Sequence, residues 1–358
     1  MSAAVETQQP VRFGYRAATL RRGSLSLRIV TRNIVVCTVL TLLAVTMAFL
    51  SLGFGDYPLS PGQVLATLNG GGESFHRMVV TEWRLPVAVA SVLFGALLAT
   101  GGAVFQSLTK NPLGSPDVIG FDAGSYTAVV LVVLIAGKNN YWSVALAAMV
   151  GGLTTALIVY ALSYRGGTQS FRLIIVGIGV SAMLGSINSY LITRADIEDA
   201  MSVGFWNAGS LGRVSWQALF PALLLACGLL VALAALAPAL RQLELGDDTA
   251  VSQGVRAVTA KPLLLVLGVA ATAIVTAAAG PIPFIALSAP QLAKRLTKSE
   301  GVTLGASACM GAALLAAAQL LALTIAHFFR TVPVGLITVC LGGLYLMWLL
   351  IRETRKHS

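Results

Sequence analysis

LELGDDTAVSQGV, Leu243 to Val255, is a polar, acidic island between two of the most apolar segments of the chain, near residues 218–239 and 262–280. Those flanks decide the fold. A run of about 20 apolar residues satisfies its backbone internally as a helix and spans the hydrocarbon of a bilayer. Across 358 residues, 56% are hydrophobic and 11% charged, whereas a soluble domain carries about 25% charged residues. Too little polarity remains to cover a water-facing surface. The chain reads as an all-α polytopic membrane protein.

Apolar runs and helix breakers mark ten spans, near 33–53, 86–107, 118–136, 142–163, 172–192, 218–239, 262–280, 281–293, 302–326 and 334–351. The eighth is too short to cross alone at a rise of about 1.5 Å per residue. It follows Gly280–Pro283 (GPIP), where two prolines and a glycine break or kink the helix, so a re-entrant or bent segment is allowed there. With the N-terminus in the cytoplasm, 18 of the 24 Lys and Arg residues fall on the cytoplasmic side. The other side receives six: Arg77, Arg84, Lys138, Arg194, Arg213 and Arg330. That asymmetry satisfies the positive-inside rule and returns the C-terminus to the cytoplasm after ten spans. The net charge of +10 is therefore a topology signal and gives no reason to expect nucleic acid as a partner.

Residues 1–32 hold six arginines against one acid, Glu6, and read as a basic cytoplasmic tail against anionic headgroups. No small-residue cleavage pattern follows, which argues against a signal peptide. Residues 33–351 form the transmembrane domain, with a cytoplasmic helix near 244–256, and 352–358 a short cytoplasmic tail. Cys37, Cys227, Cys309 and Cys340 lie in apolar segments without a CxxC pair, and three scattered histidines suggest no metal cluster. No GxxxxGK[ST] phosphate loop occurs, so any ATP must be handled by another chain. Ser170 and Ser288 have no histidine or carboxylate at a depth to activate them, which disfavours an intramembrane enzyme. Span carboxylates are nearly absent, with Asp117 and Asp122 placed at the cytoplasmic mouth of the third span. That counts against a proton- or sodium-coupled carrier. The many glycines within spans indicate close helix–helix approach.

The island carries helix punctuation at both ends. Asp247 and Asp248 fall in a first turn, where carboxylates meet free N–H groups and the positive dipole end. Gly254 is a left-handed stop. About two turns lie between, too few to be stable alone in water. The helix needs something packed on it, either the rest of the chain or a partner.

Six ordered blocks carry a family resemblance from about residue 33 onward. They are EWRLP (Glu82–Pro86) with Gly101–Gly124, which contains NPLGSPDVIGF; Phe171–Leu184 (FRLIIVGIGVSAML); Trp206–Trp216 (WNAGSLGRVSW); LGDDTAVSQGV; Gly280–Leu296; and Val332–Leu350. This set resembles the iron-siderophore and vitamin-B12 permease family of ATP-binding-cassette importers, and within it a catecholate-siderophore, enterobactin-like permease. The resemblance implies a type II importer permease fold of about ten helices with both termini cytoplasmic, in the bacterial inner membrane. It implies a non-catalytic subunit working with a second permease subunit, often a paralogue, two ATPase subunits and a substrate-binding protein. The cargo would be a ferric siderophore; vitamin B12 or haem is the alternative. No cofactor would sit on this chain, ATP and Mg being used by the partner ATPase.

By the same resemblance, Gly246, Asp247, Asp248, Thr249, Gly254 and Val255 would couple to the ATPase. Arg84 and Arg330 would pair with glutamates of the binding protein. The family often adds an arginine three residues after the first of these; here that position is Val87, with Arg77 the nearest substitute. Gln169, Ser170 and Phe171 match the cytoplasmic gate. Asn111 and Pro112 read as a structural cytoplasmic turn.

Overall fold

The computed structural model describes residues 17–22, 25–55, 57–117, 120–163 and 170–357. An antiparallel hairpin of β1 (Ala17–Arg22) and β2 (Leu25–Val30) runs directly into α1 (Thr31–Ser51). Next come α2 (Pro61–Leu68), α3 (Ser74–Arg77), a π-wound stretch at Met78–Arg84 and α4 (Leu85–Thr109). Then α5 (Phe121–Val130), extended by a π-wound Leu131–Ile135, leads to α6 (Tyr141–Ser163), α7 (Ser170–Thr193) and α8 (Ile197–Asn207). The chain continues with α9 (Trp216–Leu245), α10 (Asp247–Ser252) and α11 (Ala257–Ala279). It ends with α12 (Ile285–Thr297), α13 (Leu304–Phe328) and α14 (Val334–His357).

Each expected span corresponds to a helix. Among the described residues seven helices are long and apolar enough to cross a bilayer; Phe121–Ile135 and Val334–Trp348 are shorter apolar helices. At about 1.5 Å per residue the 13 residues of α12 reach only about 20 Å, so that segment does not cross alone. The outer helices turn Val39, Leu157, Phe220 and Val231 outward, each more than half exposed. Apolar surface on that scale belongs in lipid.

The axis of the bundle is α4, buried along most of its length and packed by α9, α11, α12 and α13. Its composition explains this. Gly95 meets Gly311 of α13 backbone to backbone, and a β-carbon on Gly102 would overlap the Ala286 carbonyl of α12. Without side chains at those positions the helices approach closely enough for dispersion to hold them together in lipid. The close-approach reading of the glycines is correct at these crossings.

The breaks between helices have local causes. Pro86, in the first turn of α4, has no N–H to offer the preceding turn, and the π-wound stretch ends just before it. The freed Thr81 carbonyl accepts instead from the Trp216 indole N–H at 2.8 Å. GPIP packs against the block that starts at Trp206, Gly209 lying against the Pro281 carbonyl and Gly280 against Trp206 O; beside it Ser210 N–H donates to Ala279 O (2.8 Å), and Gly335 N–H to Gly209 O (3.0 Å). Phe284, left-handed at φ 70°, starts α12, its ring lying against the bare backbone of Gly342.

One segment gains detail and one expectation needs correction. Within the basic segment 1–32 the described residues pair as β1–β2 through six register positions. The signal was two six-residue stretches separated by Gly23–Ser24, residues outside those described. Asp117 is not at the mouth of a span. Its carboxylate lies against the backbone of Phe284 at the head of α12, about 20 Å along that helix from Lys298. The chain before α5 therefore runs inside the bundle, where neighbouring protein replaces water for its polar groups.

Candidate functional site

Three features with chemical or mechanical potential stand out, and α10 is the most fully built. Gly246 joins α9 to α10 at φ 129°, ψ 154°, a conformation that only glycine adopts without strain. At the other end Gly254, φ 88°, donates to Val251 O and Val255 N–H donates to Ala250 O, both at 2.9 Å. That pair of bonds is a Schellman closure, and Val255 packs back on the core. Ala250 is fully buried while Asp248, Thr249 and Val251 are exposed, so the six-residue helix has one seated and one free face. Neither aspartate caps the helix by a side-chain hydrogen bond; Asp247 instead pairs with Lys261 in the first turns of α11 at 2.5 Å. The helix is thus held by the rest of the chain, which answers half of the question its shortness raised.

The anchorage extends beyond the island. Glu244, in the last turn of α9, accepts from Ser107 Oγ of α4 (2.8 Å) and from the Val302 N–H between α12 and α13 (3.1 Å). At the preceding position of α4, Gln106 donates to Leu287 O of α12 (2.9 Å) and accepts from Gln291 (2.7 Å). These residues border a polar cleft of about 640 Å³ beside α10. Three elements, α4, α11 and the α12–α13 connection, are therefore bonded to the root of α10. Sequence reasoning missed Glu244 and Lys261 because their partners lie 137 and 14 residues away. It also missed Leu245 and Val258, apolar side chains 67% and 87% exposed on either side of α10.

The second feature lies at the other end of α4, about 37 Å away by helix rise. Arg84 points back onto its own loop: Nη1 donates to Leu52 O (2.8 Å) and Nη2 to Tyr57 O (2.6 Å). Arg77 donates to Gly70 O at 2.9 Å. Arg330, between α13 and α14, is exposed. Both arginine positions of the sequence reading thus share the end opposite α10, with different surroundings. Arg84→Ala is expected to lower the melting temperature, because two loop carbonyls lose a charged donor at about 1.5–3 kcal/mol each. Arg330→Ala is expected to leave it unchanged, and paired thermal melts in detergent check both.

The third feature is the start of α7. Gln169 lies outside the described residues, while Ser170 and Phe171 form the first turn of the helix.

A helical membrane bundle with a short, braced helix displayed at one end is the architecture of a transport permease. The chain belongs to the FecCD transport family, whose model matches residues 42–352. It is 43% identical over 325 residues to the ferric enterobactin transport system permease protein FepG of Escherichia coli K12, covering 91% of this chain and 98% of that one. It is 33% identical to the achromobactin transport system permease protein CbrC of Dickeya dadantii, covering 93% and 95%. A solved inward-facing transporter of metal-chelate ABC type has the same fold, with TM-score 0.76, 24% identity, and coverage of 89% of this chain and 99% of that one. The protein is a multi-pass permease of the bacterial inner membrane, as the sequence predicted. Family membership, not the position of acidic residues, now carries the case against a secondary carrier.

Proposed function

We propose that this chain is a permease subunit of an ATP-driven importer for ferric siderophore, of catecholate, enterobactin-like type. The observation that carries the cargo class is the 43% identity to FepG across nearly the whole of both chains. In this reading the α10 end faces the cytoplasm, both termini lie there, and a second permease subunit, a paralogue of this chain, completes the pathway.

Two ATPase subunits, which use ATP and Mg, dock on α10 and its paralogous counterpart. The exposed face of Asp248, Thr249 and Val251, widened by Leu245 and Val258, supplies the contact. Gly246, Gly254 and Val255 keep that face rigid. Displacement of α10 is passed to α11 through Asp247–Lys261, and to α4 and the α12–α13 connection through Glu244. Hydrogen-bonded, packed elements move together, so a partner's closure becomes a movement of the pathway helices. Gln169, Ser170 and Phe171 act as the cytoplasmic gate. At the outer end Arg330 pairs with an acidic residue of the binding protein, and Arg84 shapes the loop that the same partner meets. No cofactor resides on this chain.

Native mass spectrometry of the protein released gently from its own membrane, coupled to uptake of labelled ferric siderophore, tests this. The expected result is a complex with two ATPase copies and a second permease, and uptake that vanishes when this chain is deleted. Isolation of the chain alone or only with itself, persisting in milder detergents, would overturn it.

A further inference from the structure

A groove of about 1050 Å³ lies between the foot of α1 and the α12–α13 connection. Val35 and Val36 of α1 and Leu296 of α12 form an apolar wall, and Arg32, Lys298 and Glu300 form the polar rim. Arg32 spends its Nε on the Leu296 carbonyl at 2.8 Å. Its two Nη groups make no further bond within the described residues. Lys298, exposed and held at φ 51° as the α12 cap, likewise has no side-chain bond there. Two cations against one acid leave the rim with net charge +1.

The hairpin joined to α1 adds a second, independent feature. Its register pairs Thr19 with Arg28 and Arg21 with Ser26, so positions 17, 19, 21, 26, 28 and 30 share one face. The opposite positions, 18, 20, 22, 25, 27 and 29, are Ala, Leu, Arg, Leu, Leu and Ile. A two-stranded hairpin is at best marginal alone in water. This one leads into the membrane-spanning helix α1 with no linker, which places its backbone beside the groove at the foot of that helix.

We propose that the groove is a site for one anionic phospholipid of the cytoplasmic leaflet. The lipid phosphate meets Arg32 and Lys298, and the start of an acyl chain lies along Val35 and Val36. Guanidinium and ammonium groups are the phosphate donors of choice, and polybasic juxtamembrane segments attract anionic lipid. The assignment to the cytoplasmic leaflet rests on the orientation given under Proposed function.

The test is native mass spectrometry of the full chain, delipidated in detergent and titrated with phosphatidylglycerol or phosphatidylcholine. Lipid retention is read without transport, so its failure is distinguishable from failure of the importer reading. The expected result is preferential retention of phosphatidylglycerol, weakened roughly fivefold for each cation removed in Lys298→Asn and Arg32→Gln. Asparagine tolerates the left-handed backbone at 298, which keeps the site testable if the Arg32 variant misfolds. Equal retention of both lipids, or a preference unchanged in Lys298→Asn, would overturn the proposal. Displacement of phosphatidylglycerol by millimolar inorganic phosphate would overturn it too, by assigning the groove to a free anion.

Discussion

Gly102→Val is expected to abolish the folded protein. The first added carbon already overlaps the Ala286 carbonyl, and the contact is backbone on backbone, so no side chain can rotate away. Overpacking a core typically costs about 1–3 kcal/mol when side chains can adjust. Here α4 would have to part from α12, losing the Gln106–Leu287 and Gln106–Gln291 bonds that follow one turn later. A loss beyond about 3 kcal/mol is therefore expected, against a total stability of roughly 5–15 kcal/mol. Gly343→Ala is the control, because a β-carbon there meets nothing within 4 Å. Size-exclusion profiles and thermal melts in detergent should show an aggregated Gly102→Val and an intact Gly343→Ala. A monodisperse, cooperatively melting Gly102→Val would refute the close-packed crossing.

Reversing both acids of α10, Asp247→Lys with Asp248→Lys, is expected to separate ATP hydrolysis from transport while the fold survives. An exposed ion pair contributes only about 0–1 kcal/mol, so losing Asp247–Lys261 cannot unfold the chain. Like charges facing a partner cost several kcal/mol, and each 1.4 kcal/mol is about tenfold. Transport per ATP hydrolysed should fall about tenfold or more, measured in proteoliposomes with the complete complex. The single changes divide the labour. Asp247→Lys acts inside the chain and should be rescued by Lys261→Asp, which restores the pair with reversed sign. Asp248→Lys acts on the partner-facing surface, and the same exchange should not rescue it. Unchanged coupling in the double variant would remove α10 from the mechanism.

Much of this architecture is written locally in the chain. Apolar length marks the helices, and the GPIP break follows from what proline and glycine do to any helix. The ends of α10 were legible for the same reason: Gly254 adopts the left-handed stop its position implies, and Asp247 and Asp248 lie in the first turn. Small helices in the polar connections were also marked, as where Ser60 and Gln63 exchange hydrogen bonds to cap α2 behind Pro61. An apolar-run reading passes over that signature, because the helix it marks is short and polar at its start.

Other features had no local signature. Nothing around Glu244 indicates Ser107 as its partner, and nothing in RLP indicates that Arg84 turns back onto Leu52 and Tyr57. Asp117 reads as a loop acid until Phe284 is placed beside it. By itself the sequence determined the membrane class, the helices, their breaks and the family, because burial length and turn chemistry are properties of neighbouring residues. Tertiary structure alone decided which glycines meet, which charges turn inward and how α10 is braced. Those depend on surfaces that folding brings together over separations from 14 residues at Asp247–Lys261 to 137 at Ser107–Glu244, where contact geometry sets the energy and chain order does not.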